Sequence, residues 1–492
     1  MEIHLVLPDT KISHEFFKEL SDFMRRNPSI TFFLRRSSGY KREKLLRLKL
    51  YNIICQAISA AYNPSLSFLC WKERISRTNY PDVTARMIDS SSSAMRINVD
   101  DQILTFDLRN SYANEIILES EIISGFLSQA PFITYSIIDN NGLNEIKHTF
   151  SISNLGSTIV MRNILTRSLF QIVEYNIKKS KENNSLFSSF SFLSNQSENL
   201  KNVSLRNLYL SLIAILKKIA RKILLQQNYV WRIFYFDHTS VNPKLHEIEN
   251  KKHSYYADPF LINNEGENYL FAEKYDLRTK KGKIVCFKEH DGNFINERDA
   301  LEETFHLSFP FVFVEKNQIY MIPESSANKD IRIYVAKKFP YEWQLKKILI
   351  NQINAVDSMV FKINDIFYLL TNVSLSGENH CDNFRIFTSK DLFDESFLEL
   401  SSVELKIDGT LGRNAGYFLD ERDNLIIVTQ VPDFGIYGKS LRYFKIEFNQ
   451  RELIRTELFL ERRLKPTSAI GYHHLNRNGK FEVFDSSIYF KN

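Results

Sequence analysis

The second half of the chain repeats one pattern of apolar and polar positions. An apolar run, a polar turn and a second apolar run closing on a polar residue recur five times: FLINNEGENYLFAE to Glu273, FVFVEKNQIYMIPE to Glu324, MVFKINDIFYLLTN to Asn372, AGYFLDERDNLIIVTQ to Gln430 and YHHLNRNGKFEVFD to Asp485. The turn residues NEG, EKN, IND, ERDN and NRNG make each copy a predicted β-hairpin. Further apolar runs follow as KIVCFKE, IRIYVAKK, FRIFTSK and LRYFKIEF. A unit of about 50 residues with up to four strands has the size of a propeller blade. The last copy lacks room for its outer strands, and WRIFYFDH at Trp231–His238 is the natural donor that would close the ring. The spacing therefore predicts an all-β five-bladed β-propeller over residues 227–492.

The first half reads differently. Short apolar runs, IHLVLP, ITFFLRR and ILTFDLRN, are separated by segments of helical pattern such as HEFFKELSDFMRR, which predicts an α/β domain with a parallel sheet over residues 1–178. Neither GxGxxG nor GxxxxGK[ST] occurs, so a nucleotide site of those types is not expected there. Asp107, at the end of a predicted strand, reads more readily as a cap or turn residue than as a ligand contact. Residues 179–226 read as a Ser- and Asn-rich linker followed by an amphipathic helix. Leu205, Leu208, Leu212, Ile215, Ile219 and Ile223 recur at helical spacing, while Lys217, Lys218, Arg221 and Lys222 give a basic face. A connecting helix is the plainer reading of 204–226, and peripheral contact with an anionic membrane surface is its alternative.

Composition narrows the classes. With 43% hydrophobic and 25% charged residues and a net charge of +6 spread along 492 residues, nothing marks a nucleic-acid partner. Cys55, Cys70, Cys286 and Cys381 lie too far apart for a metal motif or a disulfide framework, and no metal or cofactor is expected. The N-terminus MEIHLVLPDTK lacks a signal-peptide pattern, and no apolar run is long enough to span a bilayer. A cytoplasmic location is expected, membrane-associated only if the basic helix touches lipid.

In a propeller the first strand of every blade lines the axis, so residues opening those strands converge. Counting back from the hairpin ends places Asp258, Phe309, Asp357 and Arg413 at matching positions. Glu273, Glu324, Asn372, Gln430 and Asp485 lie at the other ends of the hairpins, beside His473. Carboxylates, amides and a guanidinium suit the vicinal hydroxyls of a carbohydrate, and paired carboxylates suit acid–base work on a glycosidic bond. The same residues could instead pin neighbouring blades through hydrogen bonds. His473 and His474 are adjacent on a strand and point to opposite faces, which argues against a two-histidine metal site.

YYADPF, YLFAEKYD, FHLSFPFVF, YMIPESSA, RIYVAKKFPYEW, AVDSMVF and GRNAG with TQ resemble the propeller at the N-terminus of glucosamine inositolphosphorylceramide transferases and of related bacterial proteins. That propeller is similar to those of several glycosidase families. The resemblance implies a base-like Asp258, a modulating or second carboxylate at Asp357 and an acid at Glu324; the blade positions themselves make Glu273, Asn372, Arg413, Gln430 and His473 the expected substrate-binding residues. In bacterial relatives the propeller often follows a domain resembling sugar formyltransferases, which the α/β reading of 1–178 fits, although no HxSLLP-like histidine segment is present. Two function classes follow. One is glycosyl transfer or cleavage in the biosynthesis of a cell-surface polysaccharide or glycolipid. The other is non-catalytic binding of a glycan or sugar nucleotide, with a degenerate formyltransferase-like domain attached.

Overall fold

The computed structural model describes residues 228–374, 383–400, 411–433, 436–449, 452–460, 464–467 and 469–490, together with seven strands nearer the N-terminus. The chain divides into two compact units near residue 214.

In the first unit the strands Glu2–Leu7, Thr31–Arg36, Arg86–Met87, Ile103–Asp107, Phe132–Asp139, Glu145–Ser151 and Ser189–Ser194 form one seven-stranded sheet. Glu2–Leu7 lies between Thr31–Arg36 and Ile103–Asp107 and is parallel to both, so the three apolar runs read from the sequence lie side by side. Besides this parallel part the sheet holds the hairpin Phe132–Asp139/Glu145–Ser151, which is antiparallel. A correction concerns the expected linker. Its SFSFLS segment is the strand Ser189–Ser194, parallel to Ile103–Asp107 and antiparallel to Phe132–Asp139. The alternation of Ser with Phe and Leu is a period of two, which suits a strand better than a loop. The segments expected to be helical, including 204–226, lie outside the described residues. Among the described residues no helix is long and apolar enough to cross a membrane.

The second unit is a five-bladed propeller, each blade a four-stranded antiparallel sheet. Blade one comprises Ser254–Asn264, Glu267–Asp276, Lys281–His290 and Asn293–Leu301, and blade two Ser308–Glu315, Gln318–Glu324, Asp330–Lys338 and Glu342–Asn351. Blade three runs through Ala355–Ile363, Ile366–Val373, Phe384–Ser389 and Leu398–Glu399, and blade four through Arg413–Leu419, Leu425–Asp433, Ile436–Asn449 and Glu452–Leu458. Blade five begins with Ala469–Asn478 and Phe481–Phe490 and is completed by Asn228–Asp237 and His246–Ile248. The pairing of Phe481 with Asp237 through Phe490 with Asn228 is the closure expected from WRIFYFDH. Each inner strand touches the inner strands on both sides, so the blades close a ring.

The hairpins form where the turn chemistry asked for them. The two-residue loops Glu265–Gly266, Lys316–Asn317 and Asn364–Asp365 all have positive φ at both positions, the geometry that matches the right-handed twist of paired strands. Hydrophobic burial is concentrated in the seams between blades, around Phe271, Met321, Ile333 and Leu369 on one side and Phe234, Val428 and Phe484 on the other.

Every inner strand carries a β-bulge: at Asp258–Pro259, Phe309–Pro310, Asp357–Ser358, Ala415–Gly416 and His473–His474. One aromatic ring from each blade packs across the axis: Phe260, Phe311, Phe361 and Tyr417 from beyond the bulges and His474 from the bulge itself. Their centroids lie 4.5 Å apart for Phe260–His474, 5.8 Å for Phe260–Phe311, 5.7 Å for Phe311–Tyr417 and 5.1 Å for Phe361–Tyr417. The axis is therefore plugged with aromatic rings on one side of the bulges, and the polar residues gather at the bulges and on their other side.

Candidate functional site

The bulges decide which side chains reach the axis. An extra residue in a strand re-aims the side chains around it. Asp258 and Asp357 sit at bulges with φ of 52° and 52°, in the left-handed region that Asp tolerates, and Phe309 takes the equivalent place with φ 44°. In blade four that place belongs to Ala415. The expectation that Arg413 matches Asp258 is thus corrected: Arg413 lies two residues ahead of its bulge and pairs with Gln430 across the hairpin. The long guanidinium reaches into the cluster nonetheless. In blade five the hairpin partner of the residue before the bulge is Ser486, and Asp485 lies opposite the bulge itself.

Two charged groups result. In the first, Arg413 donates through Nε and Nη2 to the two oxygens of Asp357, the Nη2 contact at 2.9 Å, and Nη2 lies 3.4 Å from Glu324 Oε2. Glu324 also accepts from Ser308 Oγ at 2.9 Å and from Ser326 Oγ at 2.5 Å. Ser326 opens a short 3-10 turn that buried Asp330 holds by accepting from Ser325 Oγ and Asn328 Nδ2. Burial pushes the Glu324 carboxyl up, but the Arg413 guanidinium and the two hydroxyls outweigh it and hold the group below the usual carboxylate range. Burial likewise raises Asp357, with Arg413 opposing, and the bidentate contact is that of an ion pair.

The second group centres on His473, whose Nδ1 lies 2.8 Å from Asp485 Oδ2 and 3.4 Å from Asp258 Oδ1. Asp485 accepts the backbone N–H of His473, His474 and Asp258 as well. It is an anion clamped by three amides that ties the last blade to the first. Burial disfavours a charged imidazole, yet Asp485 and Asp258 overcome this and bring His473 up to about 9. Asp485 is held low despite its burial, chiefly by His473. Burial moves Asp258 the other way, to about 7, with His473 opposing and the Asp357 and Asp485 charges adding to the rise. Asp258, His473 and Asp485 are close enough together to consider a metal ion. The Asp485 oxygens are already engaged by three amides and the imidazole, so the donor set does not fit one. His474, on the plug side, is pushed down to about 3 by burial and behaves as a neutral aromatic ring.

Glu273 stands between these groups. Burial raises its carboxyl well above the ordinary range, and the Asp258, Glu324 and Asp485 charges push the same way. Among the described residues no Lys or Arg lies within ion-pair distance of it; His306 Nε2 is its nearest basic neighbour, at 3.6 Å.

Of the expected amides Asn372 pins blades together, and Asn414 and Asn476, which the sequence reading did not single out, do the same. Asn372 donates to Gly412 O and accepts from Asn414 N, Asn414 donates to Asp357 O, and Asn476 accepts from Leu261 N. Gln430 is buried at the base of its hairpin. The structure thus brings Asp258, Glu273, Glu324, Asp357, Arg413 and His473 together, and gives Asn372 the blade-pinning contacts. Sequence reading missed His306, Ser308 and Ser326. Ser308 directly precedes Phe309, a recognised position, and Ser326 follows Glu324 by two residues.

Residues 242–478 match the family described as glucosamine inositolphosphorylceramide transferase 1, N-terminal. The match lies within the propeller. The glucosamine inositolphosphorylceramide transferase 1 of Oryza sativa subsp. japonica is 30% identical over 233 residues, 45% of this chain and 31% of that protein. The Arabidopsis thaliana protein of that name is 37% identical over 119 residues, 24% of this chain and 15% of that protein. The chain thus spans about a third or less of the length of these curated plant relatives. Among solved structures, the catalytic domain of the Coprinopsis cinerea GH62 alpha-L-arabinofuranosidase aligns with 12% identity and a TM-score of 0.36, covering 46% of this chain and 78% of that one. The Podospora anserina alpha-L-arabinofuranosidase in complex with cellotriose aligns with 10% identity and a TM-score of 0.37, covering 48% and 91%. The count of five blades rests on the strand topology.

Proposed function

We propose that the propeller is a carbohydrate-active domain that transfers or cleaves a glycosyl group at the cluster around Arg413. The observation that carries this reading is the opposed treatment of two neighbouring carboxyls. Glu324 is held ionised by Arg413, Ser308 and Ser326, whereas Glu273 has only a neighbouring imidazole and is kept protonated. Two carboxyls driven apart in this way are the requirement for acid–base work on a glycosidic bond. Glu273 is then the proton donor and Glu324 the anionic partner. The resemblance implied an acid at Glu324, but the guanidinium beside it favours the charged form. Asp357 orients Arg413, and Asp258 with His473 tunes the local charge. The similarity of residues 242–478 to transferases named for glucosamine and inositolphosphorylceramide supports a sugar substrate, free or as a sugar nucleotide, and a place in surface polysaccharide or glycolipid synthesis.

A second reading, a glycan- or sugar-nucleotide-binding module without turnover, is favoured by the hydrogen-bond saturation of Asp485 and the complete burial of Asp357. In either case the first 178 residues would be a degenerate formyltransferase-like partner domain, the chain acting in the cytoplasm with 204–226 as its candidate membrane contact.

The test is calorimetry and product analysis of the full chain against a panel of sugar nucleotides and oligosaccharides, beside Glu273→Gln and Glu324→Gln. Turnover abolished by either substitution establishes the enzyme. Binding without turnover leaves the second reading, and no binding to any saccharide sinks both.

A further inference from the structure

The roles above leave three side chains unused at the outer side of Glu273. Tyr275 lies two residues beyond Glu273 on the same strand and so on the same face of the sheet. It stacks on Tyr255, its partner across the hairpin, with centroids 5.1 Å apart and planes at 19°. Its ring stands 6.0 Å from that of His306, at 65°. His306 sits in the connection between blades one and two, with 30% of its side chain exposed, against 8% for Glu273. Exposure therefore rises outward from the buried carboxyl to the imidazole.

The protonation of His306 is set by its surroundings. Its Nδ1 lies 2.9 Å from the backbone N of Gly282, whose hydrogen it accepts, so Nδ1 carries no proton and Nε2 does. Burial lowers the imidazole pKa and Arg413 adds to this, with Glu324 opposing, which keeps the ring neutral. The Nε2–H points toward Glu273 Oε1 across 3.6 Å, too far for a hydrogen bond. Gly282 is required beneath this gap. A Cβ there would come within 2.5 Å of both Glu273 Oε1 and the Leu307 carbonyl oxygen.

A half-buried aromatic ring, a neutral N–H donor with a fixed hydrogen and a carboxyl beside it are groups that complement a pyranose. Its C–H face packs on an aromatic ring, and a vicinal pair of hydroxyls can accept from one group and meet the other. We infer that Tyr275 and His306 form a sugar-ring subsite at the outer side of Glu273, with Tyr275 as the stacking platform and His306 Nε2–H as donor to a ring hydroxyl. The subsite rests on the carbohydrate reading above.

The experiment measures binding of glucose and N-acetylglucosamine oligosaccharides of two to four units to the full chain by calorimetry and saturation-transfer NMR. His306→Asn keeps an acceptor for the Gly282 amide but removes the Nε2 donor, and Tyr275→Ala removes the platform. Each is expected to weaken binding roughly three- to tenfold, the worth of one hydrogen bond or one ring contact, and Tyr275→Ala to abolish saturation transfer to the axial ring protons. Tyr275→Phe and His306→Gln, which keep the ring and an amide donor, are expected to bind within about twofold of wild type, since neither removes the group that contacts the sugar. Wild-type affinity in His306→Asn and Tyr275→Ala, with binding still weakened in Glu273→Gln, would overturn the subsite and leave the carbohydrate reading standing. An equal loss in all four variants would also overturn it, because only general disruption removes binding regardless of the group retained. Absence of binding by the wild-type chain would remove both.

Discussion

Arg413 is the residue on which the site's charge balance turns. It faces fully buried Asp357 and nearly buried Glu324, and removing it leaves both without a counter-charge. Arg413→Gln is expected to cost about 3–5 kcal/mol of stability at neutral pH, in urea unfolding, the range seen when one partner of a buried ion pair is deleted. The loss should shrink when Asp357→Asn is added, since the stranded charge is then gone. The His473 group predicts a pH dependence. A folded-state imidazole raised from 6.5 to about 9 contributes stability in full below 6.5 and loses it as pH rises through 9. Asp258, raised from 3.8 to about 7, contributes in full below 3.8 and loses it through 7. Thermal unfolding of the wild type should therefore show both groups lowering stability between pH 4 and 9. Asp258→Asn is expected to flatten the lower part of that slope and His473→Gln the upper part; unchanged slopes would refute the assignments. Asp485 acts in the other direction, its contribution being present above 3.8 and lost in acid. The residue identities of this site were legible, since acids and a guanidinium recurring at hairpin ends stand out. Their partners were not, because His306 and Ser308, although both lie in FHLSFPFVF, come from a connection and a strand start that the hairpin spacing does not place at the axis.

At the scale of the element, the bulged inner strand is the unit that builds the site. It separates a polar half from an aromatic plug within a few residues, which a plain strand of period two cannot do. The hairpins were readable because Glu-Gly, Lys-Asn and Asn-Asp loops satisfy a local rule about positive φ. The bulges were not, because no residue is common to all of DPF, FPF, DSM, AGY and HHL; the common feature is the backbone. This is why Arg413 was placed two residues out of register. Gly282, in the third strand of blade one, gives a test of the space beside Glu273. Gly282→Ala is expected to destabilise the protein by about 1–3 kcal/mol, the cost of an added methyl where backbone cannot yield, and to perturb the imidazole signals of His306 in NMR spectra. An unaltered spectrum would show that the space beside Glu273 is not as tight as the geometry demands.

For the whole propeller, closure depends on residues 228–237 completing the blade that residues 469–490 begin. The first and last parts of the repeat are thereby hydrogen-bonded to each other, and Asp485 adds a clamp from the last blade to Asp258 in the first. A chain truncated after residue 480 would leave two unpaired strand edges and open the ring. It is expected to lose cooperative thermal unfolding and to aggregate on size-exclusion chromatography. A monomeric, cooperatively folding truncation would mean that closure is dispensable.

The amino-acid sequence by itself determined the repeat, the number of blades, the hairpin turns and the donor of the closing strand. Each depends on local patterning: alternation, turn chemistry and spacing are properties of neighbouring residues. The tertiary structure alone decided which acids meet which cations, that one ring from every blade plugs the axis, that Glu273 is isolated from a strong cation while Glu324 is not, and that the SFSFLS segment joins a sheet. Those outcomes depend on bulges and ring closure that bring together residues up to 227 positions apart, and on burial that sets their charge once they have met.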